Sequence, residues 1–437
     1  MLFEISDKAE KEISKYCDDY EIYIEKEKVF EFDAQKNNIE FIKEEINLGI
    51  GIRVITGNKL GFAYTSDLEK IEDLAQKAYS NGKLNEKDEN FAFGEKSKLA
   101  KVKGVFDSKF ENLDIEECAD FLKSIIATCE EEQCEPTSGG FSAGFQERLI
   151  VNSNGVSANS KSTGFSSFIA VNAEKDGEKS TAYDGVSSCL FNLDGEKLAK
   201  ETCQIAKDSI GGVNIDTGDM NVVLDYHAGV GLLSTFINGF NADNVQRGRS
   251  VLQDKIGDRI VDNNLSIYDD GTFVGGLNSG ACDSEGTPSK KTVLVKDGVL
   301  NSFIYDMYTA KKANDEDTVS TSNGFRGSYA STPSVSPSNV IFDFNEKISI
   351  SEIDNGFLAT DVLGAHTANP ISGDFSVEAN NAFLIEGGEI TKPVKKAMIS
   401  GNIFNALTNC EGVKSEIKQY GSCIIPKILC KDLRVIA

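Results

Sequence analysis

The sequence predicts an α+β protein of two domains, and three observations lead to that prediction. The chain has 437 residues, which is more than one hydrophobic core usually organises. Its first half alternates helical patterns with period-two runs, which favours helices set against a mostly antiparallel sheet. Its second half is β-rich around one helix and follows the glycine-containing segment 211–219. We therefore expect an N-terminal α+β domain over residues 1–212 and a β-rich C-terminal domain over residues 213–437.

The first half opens with a predicted helix over residues 6–20, which Ser6 would cap. Residues 21–32 alternate in polarity as a half-buried strand does, and Gly57-Asn58 is typical of a hairpin turn. The other elements indicated here are a strand over 40–47, a hairpin over 48–64, a helix over 67–80, an irregular loop over 84–112, a helix over 115–132, strands within 139–192 and a helix over 196–209.

The second half begins with a predicted strand over residues 221–225 and one clear helix over 228–242. Turn dipeptides, Asp297-Gly298 and Gly387-Gly388 among them, separate the β patterns that follow. Those strands are expected over 291–296, 299–305, 339–344, 356–363 and 382–386, the last turning into residue 390. We expect them to wrap around the helix.

The charge of the chain excludes several classes of partner. The net charge is −24, whereas nucleic-acid binding depends on Lys and Arg neutralising phosphates. The same balance argues against binding to an anionic membrane surface. No run of about 18 apolar residues is present, so no membrane-spanning helix is expected. The N-terminus passes directly into a charged pattern without a signal peptide, which predicts a cytoplasmic protein.

The ten cysteines form no C-x-x-C pair and are expected to be free, mostly buried thiols in a reducing compartment. Cys189 and Cys282 could in principle be nucleophiles, but no neighbouring feature marks either thiol as activated. No G-x-S-x-G elbow indicates a serine hydrolase. Nucleophilic catalysis by this chain is therefore not expected.

Only two histidines occur, His227 and His366. A catalytic zinc centre needs about three protein ligands, commonly including a His pair on one helix, and these two lie far apart. His227 starts the helix of the second half, where the positive helix end disfavours a cationic ring, so we expect a structural role. His366 lies in a loop rich in turn residues and is the better candidate for contact with a ligand.

Acidic residues cluster in the second half and could suggest a carboxylate metal site. They are Asp269, Asp270, Asp283 and Glu285. Because acidic residues are abundant throughout the chain, we expect instead a solvated acidic loop.

Several runs, taken together and in order, resemble the TldD/PmbA (modulator of gyrase) family. They span nearly the whole chain, and as a set they are specific. The runs are Gly49-Ile50-Gly51-Ile52-Arg53-Val54, Gly61-Phe62-Ala63-Tyr64-Thr65-Ser66-Asp67, Asp283-Ser284-Glu285-Gly286-Thr287-Pro288, Lys296-Asp297-Gly298-Val299-Leu300, Ser322-Asn323-Gly324-Phe325-Arg326-Gly327-Ser328-Tyr329, Ile371-Ser372-Gly373-Asp374-Phe375-Ser376 and Phe383-Leu384-Ile385-Glu386-Gly387-Gly388-Glu389-Ile390.

The resemblance also indicates a branch within the family. TldD-like members resemble zinc proteases, with H-E-x-x-x-H on the first helix of the C-terminal domain and a later Cys ligand. Here Leu233 and Asn238 stand at the two His positions, Ser234 at the position of the general-base Glu, and Ala379 near the Cys position. Leu and Ala lack donor atoms, and Ser and Asn are poor zinc ligands. The chain thus resembles the TldE/PmbA-like branch, with no metal or catalytic residue of its own.

The resemblance implies a function in proteolysis through a partner. A TldD-like metalloprotease subunit would carry the zinc, and the pair would process an unfolded peptide. Candidates for peptide binding are Asn323, Gly324 and Arg326, in a run that lies by the peptide cleft in related proteins, together with His366. An equally weighted reading of that run is a Gly-rich turn with a surface Arg. Two alternatives for the whole chain stay open, a stand-alone metallopeptidase with an unrecognised site and a homodimeric peptide-binding protein.

Overall fold

A computed structural model describes residues 1–437. The first half is built on one six-stranded antiparallel sheet with the strand order β3-β2-β1-β4-β5-β6. Its elements are α1 (Leu2–Ile13), β1 (Tyr20–Gln35), β2 (Asn38–Thr56), β3 (Lys59–Thr65), α2 (Ile71–Leu84), α3 (Ile115–Glu131), β4 (Glu135–Asn152), β5 (Ser157–Lys175), β6 (Glu178–Ser188) and α4 (Gly195–Asp208).

Strand β1 lies at the centre of this sheet and pairs along its length with β2 on one side and β4 on the other. The residues Ile22, Ile24, Phe30 and Phe32 of β1 point to one face of the sheet, because alternate residues of a strand lie on the same side. Helices α1 and α2 cover that face at one end, over Ile22, Ile24 and their neighbours. Helix α3 covers the other end, over Phe30 and Phe32, and α4 packs beside it against β5 and β6.

The first predicted helix is wrong in its bounds. Helix α1 begins at Leu2 and ends at Ile13, and Ser6 is buried within it rather than capping it. The predicted strand over 40–47 and the first strand of the hairpin are one continuous strand, β2. The turn at Gly57-Asn58 is confirmed. Residues 85–107, here named the strap, contain neither helix nor strand, which confirms most of the loop predicted over 84–112, whereas residues 108–112 form a 3-10 helix.

The second half is β-rich, as predicted. Its elements are β7 (Gly218–Leu224), α5 (Tyr226–Asn238), α6 (Ala242–Gln246), β8 (Leu265–Asp270), β9 (Lys291–Lys296), β10 (Val299–Leu300), α7 (Met307–Lys312), β11 (Gly324–Phe325), β12 (Ser334–Val335), β13 (Val340–Phe344), β14 (Lys347–Ile348), β15 (Asn355–Leu363), β16 (Asp374–Glu386), β17 (Glu389–Pro393), β18 (Ala397–Asn402), α8 (Ile403–Ala406), β19 (Cys410–Tyr420) and β20 (Cys423–Ile436).

Five strands of this half close into a ring, since β7 pairs with β15, β15 with β16, β16 with β18, β18 with β20, and β20 with β7 again. Helix α5 packs against β15 and β20 of that ring. The helix is strongly apolar, and its buried hydrophobic residues belong to a core cluster of 44 residues. The predicted arrangement of strands around one central helix is therefore confirmed.

Two boundaries of the second half differ from the prediction. The predicted helix over 228–242 ends early, at Asn238, and a second helix, α6, begins at Ala242. The Asn241 side chain caps α6 by accepting hydrogen bonds from the backbone amides of residues 243 and 244. The predicted strand over 299–305 is only Val299–Leu300. No helix of the chain is long and apolar enough to cross a membrane. All ten cysteines are free, and eight of them are buried.

Candidate functional site

Helix α5 carries three of the four positions at which the sequence predicts a degenerate metal site. Asp225 caps the helix by accepting a hydrogen bond of 2.8 Å from the Tyr226 amide. Leu233 is fully buried in the main core, whereas Ser234 and Asn238 are exposed on the other side of the helix. Successive helical residues are rotated by about 100°, which separates Leu233 from its neighbour.

The fourth position, Ala379, is buried in β16 opposite Val362 of β15 and Ala397 of β18. Leu233 and Ala379 both belong to the core cluster that the ring and α5 enclose. Ser234 donates its hydroxyl hydrogen to the Gly231 carbonyl at 2.8 Å. Two of the four positions are thus filled with apolar side chains, and the other two face outward.

This donor set does not fit a zinc centre. Alkyl side chains offer no lone pair, and a hydroxyl and an amide are weak zinc ligands beside imidazole or thiolate. Across residues 1–437, no group of three or more His, Cys, Asp or Glu side chains is arranged to hold a metal ion.

His366 lies exposed in a single 3-10 turn, Ala365–Thr367, that packs against α5. The approach is close, because a Cβ built on Gly231 would lie 3.2 Å from the Cβ of Ala365. The structure therefore brings the turn of His366 to the same helix as Ser234. Its imidazole has no hydrogen-bond partner that would fix a structural role.

His227 makes an internal contact, which fits the structural role expected for it, but the contact is with a partner that the sequence did not indicate. Its Nε2 lies 2.7 Å from Oδ1 of Asp184, a residue of β6 in the first half, and Tyr420 donates to the same oxygen at 3.1 Å. Burial lowers the pKa of His227, but the hydrogen bond and the charge of Asp184 outweigh it and raise the pKa above its usual value. The expectation that the helix end disfavours a cationic His227 is wrong, because a carboxylate from another element stands beside the ring.

The runs that carry the family resemblance meet at a buried ionic network between the two halves. Glu21 in β1 is fully buried and accepts hydrogen bonds from Nε and Nη2 of Arg53 in β2, at 2.9 and 2.8 Å. Arg53 Nη2 also donates to Glu285 of the second half at 3.3 Å. Arg326 of the second half donates to Glu21. Glu21 of the first half thus accepts from Arg326 of the second half, and Glu285 of the second half accepts from Arg53 of the first. The network therefore joins the two halves.

The pKa values in this network follow from burial and from these contacts. Burial raises the pKa of Glu285 to about 7, against the opposing charge of Arg53. Burial alone would raise the pKa of Glu21, but two guanidinium groups outweigh it and hold that pKa below its usual value. Arg326 donates to one carboxylate, that of Glu21, and burial lowers its pKa. Arg53 donates to two carboxylates, those of Glu21 and Glu285, whose charges outweigh burial and raise its pKa. Both guanidinium groups stay protonated at any pH the fold experiences.

The predicted solvated acidic loop is wrong for three of its four residues. Asp269, Asp283 and Glu285 are each 2% exposed, and only Asp270 is half-buried. Asp269 accepts hydrogen bonds from the Ser338 amide at 2.8 Å and from its hydroxyl at 2.9 Å. Burial raises the pKa of Asp269 to about 6.

Asp283 organises the turn that carries Glu285. Its Oδ1 accepts from the amides of Glu285 and Thr287 at 2.9 and 3.0 Å, and its Oδ2 accepts from the Gly324 amide at 3.0 Å. Burial, and after it the charge of Glu285, raises the pKa of Asp283 well above its usual value. These carboxylates hold backbone in place and do not form a metal site.

The three peptide-binding candidates around Arg326 have internal partners. Asn323 is fully buried and donates from Nδ2 to Asp269 at 2.7 Å. Gly324 lies so close to Glu285 that a Cβ at this position would collide with the carboxylate. The Arg326 side chain is buried, and its guanidinium lies 4.6 Å from the centre of the Tyr23 ring. The reading of Arg326 as a surface side chain is wrong, and the carboxylate it binds in this structure belongs to its own chain.

The strap also connects the halves. Its Asp88 accepts a hydrogen bond of 2.7 Å from the Tyr308 hydroxyl. The Ala100 amide donates to the Ala281 carbonyl at 3.1 Å, and the Lys103 carbonyl accepts from the Gly275 amide at 3.0 Å. The strap therefore lies along the second half instead of extending into solvent.

Neither Cys189 nor Cys282, the two thiols considered as nucleophiles, has a lowered pKa. Burial raises the pKa of Cys282 to about 12, and it also raises the pKa of Cys189. A thiol that stays protonated near neutral pH is a poor nucleophile.

The sequence missed Glu21 and Asp184 as functional or structural partners. Glu21 is a polar position in an alternating strand and looks like a solvent-facing residue. Its two bases lie 32 and 305 positions further along the chain. The sequence feature that points to this network is that Arg53 and Arg326 both lie in runs that resemble the same family.

Most of the chain matches the three domains of one protein family. The C-terminal domain of the PmbA/TldA metallopeptidases matches residues 217–437, their domain 1 matches residues 20–82, and their central domain matches residues 108–210. The chain belongs to the PmbA/TldD family. An uncharacterised protein of Methanocaldococcus jannaschii is 36% identical over 91% of this chain and 92% of its own length.

Members with assigned names are more distant. A protein of Haemophilus influenzae named a metalloprotease TldD homolog is 28% identical over 82% of this chain and 77% of its own length. Another protein of the same organism, named a metalloprotease PmbA homolog, is 24% identical over 90% of this chain and 86% of its own.

Solved structures share the fold over its whole length. A candidate modulator of DNA gyrase from Thermotoga maritima superposes with a TM-score of 0.91 at 25% identity, covering all of both chains. TldE from Thermococcus kodakarensis superposes with a TM-score of 0.91 at 24% identity, covering 99% of this chain and 100% of its own. The PmbA/TldD family thus accounts for both halves of the chain.

Proposed function

We propose that this chain is a TldE/PmbA-like subunit that holds no zinc and takes part in proteolysis with a TldD-like metalloprotease partner. The observation that carries the proposal is the donor set on and beside α5. Leu233 and Ala379 are buried alkyl side chains, and Ser234 and Asn238 point outward. Without zinc in this chain, no group lowers the pKa of a water molecule or polarises a peptide carbonyl.

The partner supplies the zinc and the general base, and the pair acts in the cytoplasm on unfolded peptides. The family membership and the TldE-like fold support this assignment. The exposed side of α5, with Ser234, Asn238 and the turn of His366, is the surface of this chain that corresponds to the metal side of an active relative. Of the four peptide-binding candidates, we assign direct contact with the peptide to His366, because it is exposed, whereas the side chains of Asn323 and Arg326 are buried.

The test is metal analysis and peptidase assay of the purified chain, alone and after co-expression with a TldD-like protein from the same organism. We expect far less than one zinc per isolated chain and no cleavage of an unfolded casein substrate. Co-expression should give a complex that contains zinc and cleaves casein. Stoichiometric zinc together with peptidase activity in the isolated chain would overturn the proposal.

The alternative of a stand-alone metallopeptidase has one observation in its favour, which is that several relatives at 26–28% identity are named metalloproteases. The same assay separates the two proposals. A homodimeric peptide-binding protein would instead bind unfolded peptide as a stable dimer and recover no TldD-like protein in a pull-down.

A further inference from the structure

A cavity of about 570 Å³ lies between the strap, strands β4 and β5, and the loop 277–282. None of its 20 lining residues is acidic, in a chain where roughly one residue in six is Asp or Glu. Four bases line it instead, Lys101, Arg148, Lys161 and Arg326. Its volume falls within the range of about 300–1,000 Å³ that is typical of ligand sites. A recess lined by one sign of charge concentrates ligands of the other sign.

Arg148 is the base that lacks a partner inside the cavity. Its Nε is buried without any hydrogen-bond partner, and its nearest carboxylate oxygen, on Glu25, is 3.9 Å away. Glu25 is already engaged, because it accepts from Gln146 at 2.6 Å. By contrast, the Arg326 charge is matched by Glu21. A buried donor without an acceptor is unfavourable, so an anionic acceptor brought to Arg148 would supply the hydrogen-bond partner that the chain itself does not provide.

The two lysines lie at the rim of the cavity. Lys101 belongs to the strap and Lys161 to β5, and both are exposed and pair with no carboxylate. Glu147 stands opposite Lys161 in the sheet, but its carboxylate lies 3.4 Å from the Asn159 amide nitrogen. The rim charges are therefore free to attract a ligand.

The rest of the lining is partly apolar, with Val102, Leu277, Phe325 and Pro337 beside serine hydroxyls and two asparagine amides. This mixture suits a ligand that joins a carboxylate to apolar groups and amides. We infer that the cavity binds a carboxylate-bearing segment of a peptide, with the carboxylate held by Arg148. The carboxylate can be a chain terminus or an acidic side chain. Binding here requires neither the partner nor the zinc of the proposed function.

The test measures fluorescence anisotropy of three labelled apolar pentapeptides with the purified full chain at low salt. One has a free C-terminal carboxylate and no Glu, the second has an amidated terminus and one internal Glu, and the third is amidated and neutral. We expect at least one of the first two to bind about ten-fold more tightly than the third, and to weaken as salt is added. Equal affinity of all three peptides overturns the inference.

Variants locate the site. Arg148→Met keeps the length of the side chain and removes its charge, and it should weaken the preferred peptide about ten-fold, the loss expected for one charge-assisted hydrogen bond. Lys161→Gln, at an exposed position, should weaken it by a smaller factor without affecting the fold. Lys179→Met in β6, where the lysine pairs with Glu174 away from the cavity, is the matched control. If Arg148→Met and Lys161→Gln both bind like Lys179→Met, the cavity is not the site. All these peptide affinities are measured on the isolated chain. They therefore test the cavity independently of whether the chain pairs with a TldD-like subunit.

Discussion

At the scale of single residues, α5 shows how two adjacent positions of one predicted site can have opposite environments. Leu233 and Ser234 are neighbours in sequence, yet one is fully buried and the other exposed. The sequence identified both residues through the family resemblance. It could not show that Leu233 is packed in the core, because a helical motif alone does not reveal which side of the helix the rest of the chain covers.

Leu233→His tests this packing. The imidazole would place a polar ring in an apolar core without a partner and remove packed methyl groups, at a cost of about 2–5 kcal/mol. Ser234→His, one residue further along, is solvated and should change the free energy of unfolding by less than about 0.5 kcal/mol. Urea denaturation followed by circular dichroism compares the two. A Leu233→His variant as stable as Ser234→His would mean that the position is an open cleft after all.

At the scale of elements, period-two and helical patterns located most strands and helices of the first half, and turn dipeptides fixed the hairpin between β2 and β3. The bounds of α1 failed because Ser6 has the chemistry of a cap but sits on the buried side of the helix. The start of α5 lies two residues before the predicted one, and β6 lies within the strands predicted over 139–192, but no sequence pattern indicates that these two elements are neighbours. The pair of His227 and Asp184 joins those two elements across 43 positions of sequence.

This pair predicts a pH dependence of stability. The pKa of His227 is raised in the folded state, so its contribution is fully present below its unfolded pKa of about 6.5 and is lost as the pH rises through the folded value. The pKa of Asp184, which burial alone would raise, is held below its usual value by His227, so the carboxylate is ionised above about pH 4. The ion pair is therefore complete between about pH 4 and 6.5.

His227→Gln should destabilise the chain by about 1–2 kcal/mol at pH 6 and by less at pH 9. His366→Gln, the other histidine of the chain, is exposed and serves as the control that should follow the wild type at both values. Urea midpoints at the two pH values give the comparison. An equal loss at pH 6 and pH 9 would show that the charge of His227 contributes nothing.

At the scale of the whole molecule, the two halves are held together by the network of Glu21 and Arg53 with Glu285 and Arg326, and by the strap. The sequence predicted a β-rich second half around a helix, which the structure confirms. It could not predict the contacts between halves. Buried ion pairs link residues hundreds of positions apart, and no local pattern distinguishes a buried acid from the many exposed ones.

Glu21→Gln tests the network. The change removes a fully buried charge and leaves Glu285 as the remaining carboxylate beside the guanidinium groups of Arg53 and Arg326. Removing one partner of a buried ionic group costs about 3–5 kcal/mol. Glu31→Gln in the same strand, where the side chain is exposed and pairs loosely with Lys43 at 3.8 Å, should be nearly neutral. Thermal unfolding that is the same for both variants contradicts the role assigned to Glu21.

The central position of β1 limits how this protein can be recombined with its relatives. The family's domain 1, residues 20–82, and its central domain, residues 108–210, each contribute three strands to one sheet, joined along the full length of the β1–β4 pairing. Cut apart there, either piece would present an unpaired edge of 15 residues. A chimera that exchanges only one of these pieces must therefore reproduce the β1–β4 register to keep the sheet continuous.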